Sequence, residues 1–179
     1  MTDVGTRRRI LPCWNPMLRV ICRPVAATAG GLEDLVRDMH VLMGSQRGIG
    51  LAAPQVGDDR RVVLVRRPDD PPGRTVVMLN PELLECSDEI VPFEEGCLSF
   101  PGIYRFVLRP RRVRVRYHDL SGEPQELEVG GILARVVQHE IDHLDGILFI
   151  DHLGFWGRRD VLWRMALRRL GLVFRGGTM

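Results

Sequence analysis

The segment His139-Glu140-Ile141-Asp142-His143 constrains this chain more than any other, because it fixes a local conformation and a chemistry together. Two histidines at i and i+4 lie one helical turn apart, so both imidazoles can point at a single ion. The glutamate between them sits on the adjacent edge, within reach of a water beside that ion. The neighbours agree with a helix: from Gly131 on, Ile132, Val136, His139, Glu140 and His143 recur at three- and four-residue spacing, and Gly146 supplies a stop. By itself the pattern also fits two helical histidines that pack or face solvent, so a metal reading needs a third ligand.

Downstream candidates fail. Extended metalloprotease motifs place a third histidine where Phe149 stands here, although Gly146 matches their glycine. Another group takes a glutamate from a later helix, and no glutamate follows Glu140. Upstream, Glu95-Gly96-Cys97-Leu98-Ser99, followed by Phe100-Pro101-Gly102, offers a thiol at a loop or strand end. Two imidazoles and one thiolate make three protein ligands and leave a position for water. A lone cysteine also serves as a small buried hydrophobe, which is the expectation for Cys13, Cys22 and Cys86.

The remaining pattern predicts an α+β fold. After an irregular arm, Gly30-Gly31 introduces Leu32, Leu35, Val36, Met39 and Leu42 at helical spacing, ending near Gly44. The run from Gly48 through Ile49, Gly50, Leu51, Ala52, Ala53, Pro54 and Gln55 to Gly57 excludes a regular helix and suits a tightly packed loop. Val62–Val65, Thr75–Leu79 and the alternating Val113–Tyr117 read as strands between turns. Antiparallel or mixed sheets packed around the central helix bearing His139 and His143 follow from this order. A length of 179 residues fits one domain, without repeats or an internal linker.

Charge and cysteine usage narrow the setting. The 25 positive residues, all arginine, exceed the acidic ones by only +2, too little for the domain as a whole to bind DNA. Four cysteines without a Cys-x-x-Cys pair suit a reducing cytoplasm. Arg7, Arg8 and Arg9 precede Pro12, Trp14, Asn15 and Pro16, which interrupt any signal-peptide core, and no apolar run reaches the ~18 residues of a membrane span. The expectation is a protein neither exported nor embedded in a membrane.

Taken together, Gly48 to Gln55, Glu95 to Ser99 and Gln138 to His143 resemble, in order, the three signature motifs of the peptide deformylase family. The resemblance extends from about Arg19 to Leu153, so residues 19–153 are expected to form a peptide deformylase-like catalytic domain. Residues 1–18 form its N-terminal arm, and 154–179 a basic C-terminal helix and tail within the same single domain. The resemblance implies that Cys97, His139 and His143 bind one divalent ion, natively ferrous iron in many members, with zinc, nickel or cobalt able to occupy the same site. It implies Glu140 as general base toward the attacking water, with the Gln55 amide and the Leu98 N–H stabilising the oxyanion. Ile49, Leu98 and Val136 resemble positions lining the pocket for a methionine side chain. Gly50 would offer backbone hydrogen bonds to an extended peptide, and Gly96 would leave no room beyond a formyl group. Arg109 and Asp142 are candidates for orienting ligands, or else form a surface ion pair.

The implied activity is removal of the N-formyl group from the N-terminal formyl-methionine of newly synthesised polypeptides, with release of formate. The implied partner is the N-formylated nascent polypeptide. A metal-binding scaffold on the ribosome and a metallopeptidase acting on unformylated peptides are the rival readings. Glu140 and Gln55 argue against a scaffold, because a structural metal site needs neither a base nor an oxyanion donor. From Gly157 to Met179, Arg158, Arg159, Arg164, Arg168, Arg169 and Arg175 face one acid, Asp160, among Val161, Leu162, Met165, Ala166 and Leu170. This reads as a cationic amphipathic helix that either lays its apolar side on the sheet or contacts the ribosome, as in some family members.

Overall fold

The structure, a computed structural model, describes residues 8–67 and 75–172. Arg7 of the arm and Arg175 of the tail lie outside the described residues. Val62-Val63-Leu64-Val65 explains much of the architecture, since an extended run without a polar face must be covered on both sides. All four side chains are buried: Val62 and Leu64 pack on Leu35, Met39 and Met43, while Val63 and Val65 pack on Val137 and Ile141. Full burial of each contributes roughly 1.5–3 kcal/mol.

The two covering elements are α1 (Leu32–Ser45) and α2 (Gly131–Leu144). Between them lies a five-stranded sheet in the order β1 (Gly50–Ala52), β2 (Val62–Arg66), β3 (Thr75–Cys86), β6 (Arg112–His118) and β7 (Pro124–Gly130). A separate two-stranded sheet pairs β4 (Ile90–Gly96) with β5 (Tyr104–Pro110). The pairing of named strands is antiparallel throughout, in agreement with the α+β expectation.

Several details differ from the sequence reading. The segment expected as a loop after Gly48 contributes β1, whose Gly50 and Ala52 pair with Val65 and Val63, before a 3-10 turn over Ala53–Val56. The strand starting at Thr75 runs on to Cys86 through register shifts between Leu79 and Glu82 and between Leu83 and Glu85. Strands β4, β5 and β7 are additions to the strands expected from the sequence pattern. Strand β7 leads straight into α2, which ends before Gly146. There φ is +70°, and an added Cβ would stand 2.8 Å from the Arg19 carbonyl oxygen, so only glycine lets the arm cross the helix end.

The arm and the C-terminal helix α3 (Phe155–Arg169) share a third apolar cluster, in which Leu18, Phe100, Phe149, Val161 and Met165 are buried. Trp156, Trp163 and Leu170 of the same region remain exposed, so α3 presents aromatic as well as basic residues to solvent. No helix among the described residues is long and apolar enough to cross a membrane.

Candidate metal centre and active site

Helix α2 carries His139, Glu140 and His143 into the interior, and β4 ends one residue before Cys97. Buried charge holds the two elements together. Glu95, on the inner face of β4, accepts hydrogen bonds from Arg109 Nε at 2.7 Å and Nη2 at 3.1 Å, and from Arg135 Nη1 at 2.7 Å. It also accepts from His139 Nδ1 at 2.9 Å. Burial alone would raise the Glu95 carboxyl, but the hydrogen bonds from His139 and Arg109 hold it well below the usual carboxylate range. A carboxylate can only accept, so Nδ1 of His139 carries the proton and Nε2 keeps its lone pair for a ligand.

Arg109 is itself buried, which excludes a surface ion pair, and its Nη1 donates to Asp142 Oδ2 at 2.7 Å. Burial would raise the Asp142 carboxyl as well, yet contacts from His152 and Arg109 lower it. Arg135 donates further to the carbonyls of Val107 and Val91, both at 2.8 Å, and so ties β5 and β4 to α2.

Cys97 Sγ lies 3.3 Å from His143 Nε2, and the ligand atoms of Cys97, His139 and His143 are all within 4.8 Å of one another. Sulfur and nitrogen bound to one tetrahedral ion at ~2.3 Å and ~2.0–2.1 Å stand about 3.5 Å apart, so both donor set and spacing fit a divalent cation. Burial disfavours a second positive charge here. It lowers the pKa of His143, reinforced by His139 and Arg109, while contacts with Cys97 and Glu95 raise that of His139 against its own burial. A cation bound by these atoms would compete with protonation of the imidazoles.

Glu140 is buried beside the ligands, and its Oε2 has no hydrogen-bond partner among the described residues. Desolvation pushes its carboxyl up to about 7, with His139 opposing the rise. The backbone of β1 lies so close that a Cβ on Gly50 would stand 2.4 Å from Glu140 Oε1 and 2.7 Å from Val136 Cγ1. Gln55 is oriented by its own turn: Oε1 accepts from the Ala52 N–H at 2.9 Å, which aims Nε2 at Cys97 Sγ and Ser99 Oγ, each 3.4 Å away.

These groups open onto a cavity of about 420 Å³. Ile49, Gly50 and Gln55 form one wall and Gly96, Cys97 and Leu98 the other, with Val136, His139 and Glu140 behind them. A larger hollow of about 580 Å³ near Met17 is lined by charges that neutralise one another, Arg23 with Asp59 at 3.0 Å and Arg60 with Asp58 at 2.7 Å. Sequence reasoning missed Glu95 and Arg135 as organisers of the site. The available signals were an acid two residues before the candidate thiol and an arginine one helical turn before His139.

The family model described as polypeptide deformylase matches residues 7–158. Peptide deformylase from Methylocella silvestris is 46% identical over 148 residues, covering 80% of this chain and 74% of the relative. That from Treponema pallidum (strain Nichols) is 44% identical over 155 residues, covering 87% and 93%. The crystal structure of a peptide deformylase from Legionella pneumophila superposes with a TM-score of 0.85 at 37% identity, over 95% of this chain and 99% of the other. With a match of this extent in sequence and in structure, the chain belongs to the polypeptide deformylase family.

Proposed function

We propose that Cys97, His139 and His143 hold one divalent cation in this deformylase, and that Glu140, Gln55 and the Leu98 N–H carry the release of formate from N-formylated nascent polypeptides. The observation that carries this reading is a convergence on one cavity. A thiol, two imidazoles, a side-chain amide and a buried carboxylate oxygen without a partner among the described residues meet there. When bound, the ion supplies Lewis acidity, lowering the pKa of a water and polarising a carbonyl oxygen.

Glu140 Oε2 takes the proton of the attacking water and delivers it to the departing amine nitrogen. Burial, which disfavours the ionised carboxyl, suits Glu140 to return the proton as well as to take it. Gln55 Nε2 and the Leu98 N–H donate to the formyl oxygen as it gains charge. Ile49, Leu98 and Val136 form an apolar trough suited to a methionine side chain, and the Gly50 backbone suits pairing with an extended substrate. At Gly50 an added Cβ would stand 2.4 Å from Glu140 Oε1, and this close approach, with Gly96 on the opposite wall, restricts the acyl group to formyl size. Ferrous iron as native ion, with zinc, nickel or cobalt as substitutes, suits one thiolate and two imidazoles. That thiolate also suits a reducing cytoplasm.

The test is anaerobic purification, a metal count, and formate release from formyl-Met-Ala-Ser. Glu140→Ala should lose ~10²–10⁴-fold in rate with its metal retained. Absence of formate from metal-loaded wild type would overturn the assignment, and cleavage of unformylated peptides would favour a metallopeptidase.

The exposed Trp156 and Trp163 and the arginines of α3 support a second element of the reading, contact with the ribosome. Because Val161 and Met165 belong to the core, the fair test keeps the helix and changes its surface. Trp156→Ser with Trp163→Ser should abolish co-sedimentation with ribosomes while formate release from the tripeptide stays at the wild-type level. Unchanged co-sedimentation would refute it.

A further inference from the structure

The two-stranded sheet is turned inside out relative to an ordinary amphipathic sheet. Its register sets Ile90, Pro92 and Glu94 opposite Pro110, Leu108 and Phe106. The intervening Glu95, Val107 and Arg109 are buried, whereas exposure reaches 70% at Phe106, 65% at Leu108, 57% at Tyr104 and 50% at Ile90. Alternate residues along one strand stand roughly 6.7 Å apart, so Tyr104, Phe106 and Leu108 form an apolar line about 13 Å long. Contiguous apolar surface of this kind marks a binding face more often than chance exposure does.

Tyr104 joins that line to the active site. Its cross-strand partner Gly96 has no side chain, and the ring lies so close over it that an added Cβ would meet Cε1 at 2.5 Å. Tyr104 therefore belongs both to the outer face and to the lining of the cavity that holds Cys97 and Glu140. From the cavity mouth the line leads away, through Phe106 and Leu108, toward the far end of the hairpin.

From this continuity we propose that the outer face of β4–β5 holds the downstream part of the substrate, an extended apolar stretch beginning a few residues after the formylated methionine. The proposal rests on the deformylase reading. Of the partners the face could take, the substrate is the one whose chain must emerge from the cavity that Tyr104 lines, so its later residues would arrive at high effective concentration. An extended polypeptide also repeats its side chains on one face at the spacing of the line itself. Glu94 is the one charged residue among the outward positions of the two strands, so the face rewards apolar and disfavours acidic segments. The enzyme thereby acts fastest on nascent chains whose early sequence is apolar.

The experiment compares kcat/KM for formate release from three substrates: formyl-Met-Ala-Ser, and two formylated decapeptides that share this start and continue with valine and leucine or with serine and glutamine. Wild type should favour the apolar decapeptide over the polar one by roughly tenfold, the size expected for removing one apolar side chain from water. Phe106→Ser with Leu108→Ser should erase that preference and leave the tripeptide rate unchanged, since neither residue lines the cavity. Equal kcat/KM for the two decapeptides with wild type would overturn the proposal. So would a preference that survives in the double variant, or a variant that changes only the oligomeric state in sedimentation, which would assign the face to a second copy. Formate from the tripeptide decides the deformylase reading separately; its absence from metal-loaded wild type would remove both.

Discussion

Both sheets carry arginine–glutamate pairs of nearly equal length, and the contrast between them separates scaffold from site. In the five-stranded sheet, Arg116 meets Glu82 at 2.8 Å on an exposed face, and the strands are held by valines and leucines packed on α1 and α2. In the two-stranded sheet, Arg109 meets Glu95 at 2.7 Å in the interior, and Arg135 binds the same carboxylate. The first pair is screened by water, whereas the second works at low dielectric and is coupled to His139, one of the proposed metal ligands. Apolar burial thus fixes where the helices lie, and buried charge fixes where Cys97 sits relative to His139 and His143.

The largest effect should come from breaking the buried network at its centre. Glu95→Ala leaves Arg109 and Arg135 inside without their shared counter-charge, at a cost of about 3–5 kcal/mol. It also frees the His139 ring, so metal affinity should fall by roughly 10–100-fold. Urea unfolding of the metal-free protein and chelator competition of the loaded protein measure the two separately. Loss of stability with unchanged metal affinity would mean that the two sheets differ in burial alone.

The next effect depends on pH. The folded Glu140 carboxyl sits at about 7 against an ordinary value of 4.5, so folding favours its protonated form. Its contribution to stability is complete below the ordinary value and disappears as pH rises through about 7. In the metal-free protein, Glu140→Gln should therefore melt like wild type near pH ~5 and higher than wild type near pH ~8, by at most on the order of 3 kcal/mol. A constant difference across that range would show that burial does not govern this carboxyl.

Val63→Ala probes the other sheet. It removes buried volume between β2 and α2 and should cost about 2 kcal/mol, several degrees of melting temperature. Metal affinity and formate release at low temperature should stay at wild-type values. A loss of metal here would show that apolar packing also sets the ligand geometry.

The same contrast explains what could be read from the sequence. Val62–Val65 signals a strand covered on both faces, Val113 and Val115 alternate with solvated arginines, and α1 and α2 keep helical spacing, so these elements were legible. The hairpin was not, because its polarity is inverted: Glu95 and Arg109 point inward while Tyr104, Phe106 and Leu108 point outward. Pattern reading assigns apolar residues to the core, and here a buried ion-pair network occupies it. Strand β7 was hidden by its polar residues, since Gln125, Glu126 and Glu128 leave Val129 as its one buried side chain. The candidate motifs stood out because a metal-binding role would restrict residue identity as well as polarity. Glu95 and Arg135 escaped because the chemistry they perform is the placement of other side chains.

The smallest effect sharpens the comparison most directly. Arg116 pairs with Glu82 across β3 and β6 at a distance that differs from the Arg109–Glu95 contact by only 0.1 Å, 2.8 Å against 2.7 Å. If distance set the value of an ion pair, removing either would cost the same. Water around Arg116 solvates the charge in the folded and unfolded chain alike, so Arg116→Ala should leave the melting temperature, metal affinity and formate release within experimental error. Added salt should not change that result, because little attraction remains to be screened. A clear drop in melting temperature would show that the exposed cross-strand pairs act as a network, with Arg114 bridging Glu85 and Glu126. In that case charge would hold both sheets, and burial would set the degree of its effect instead of its presence.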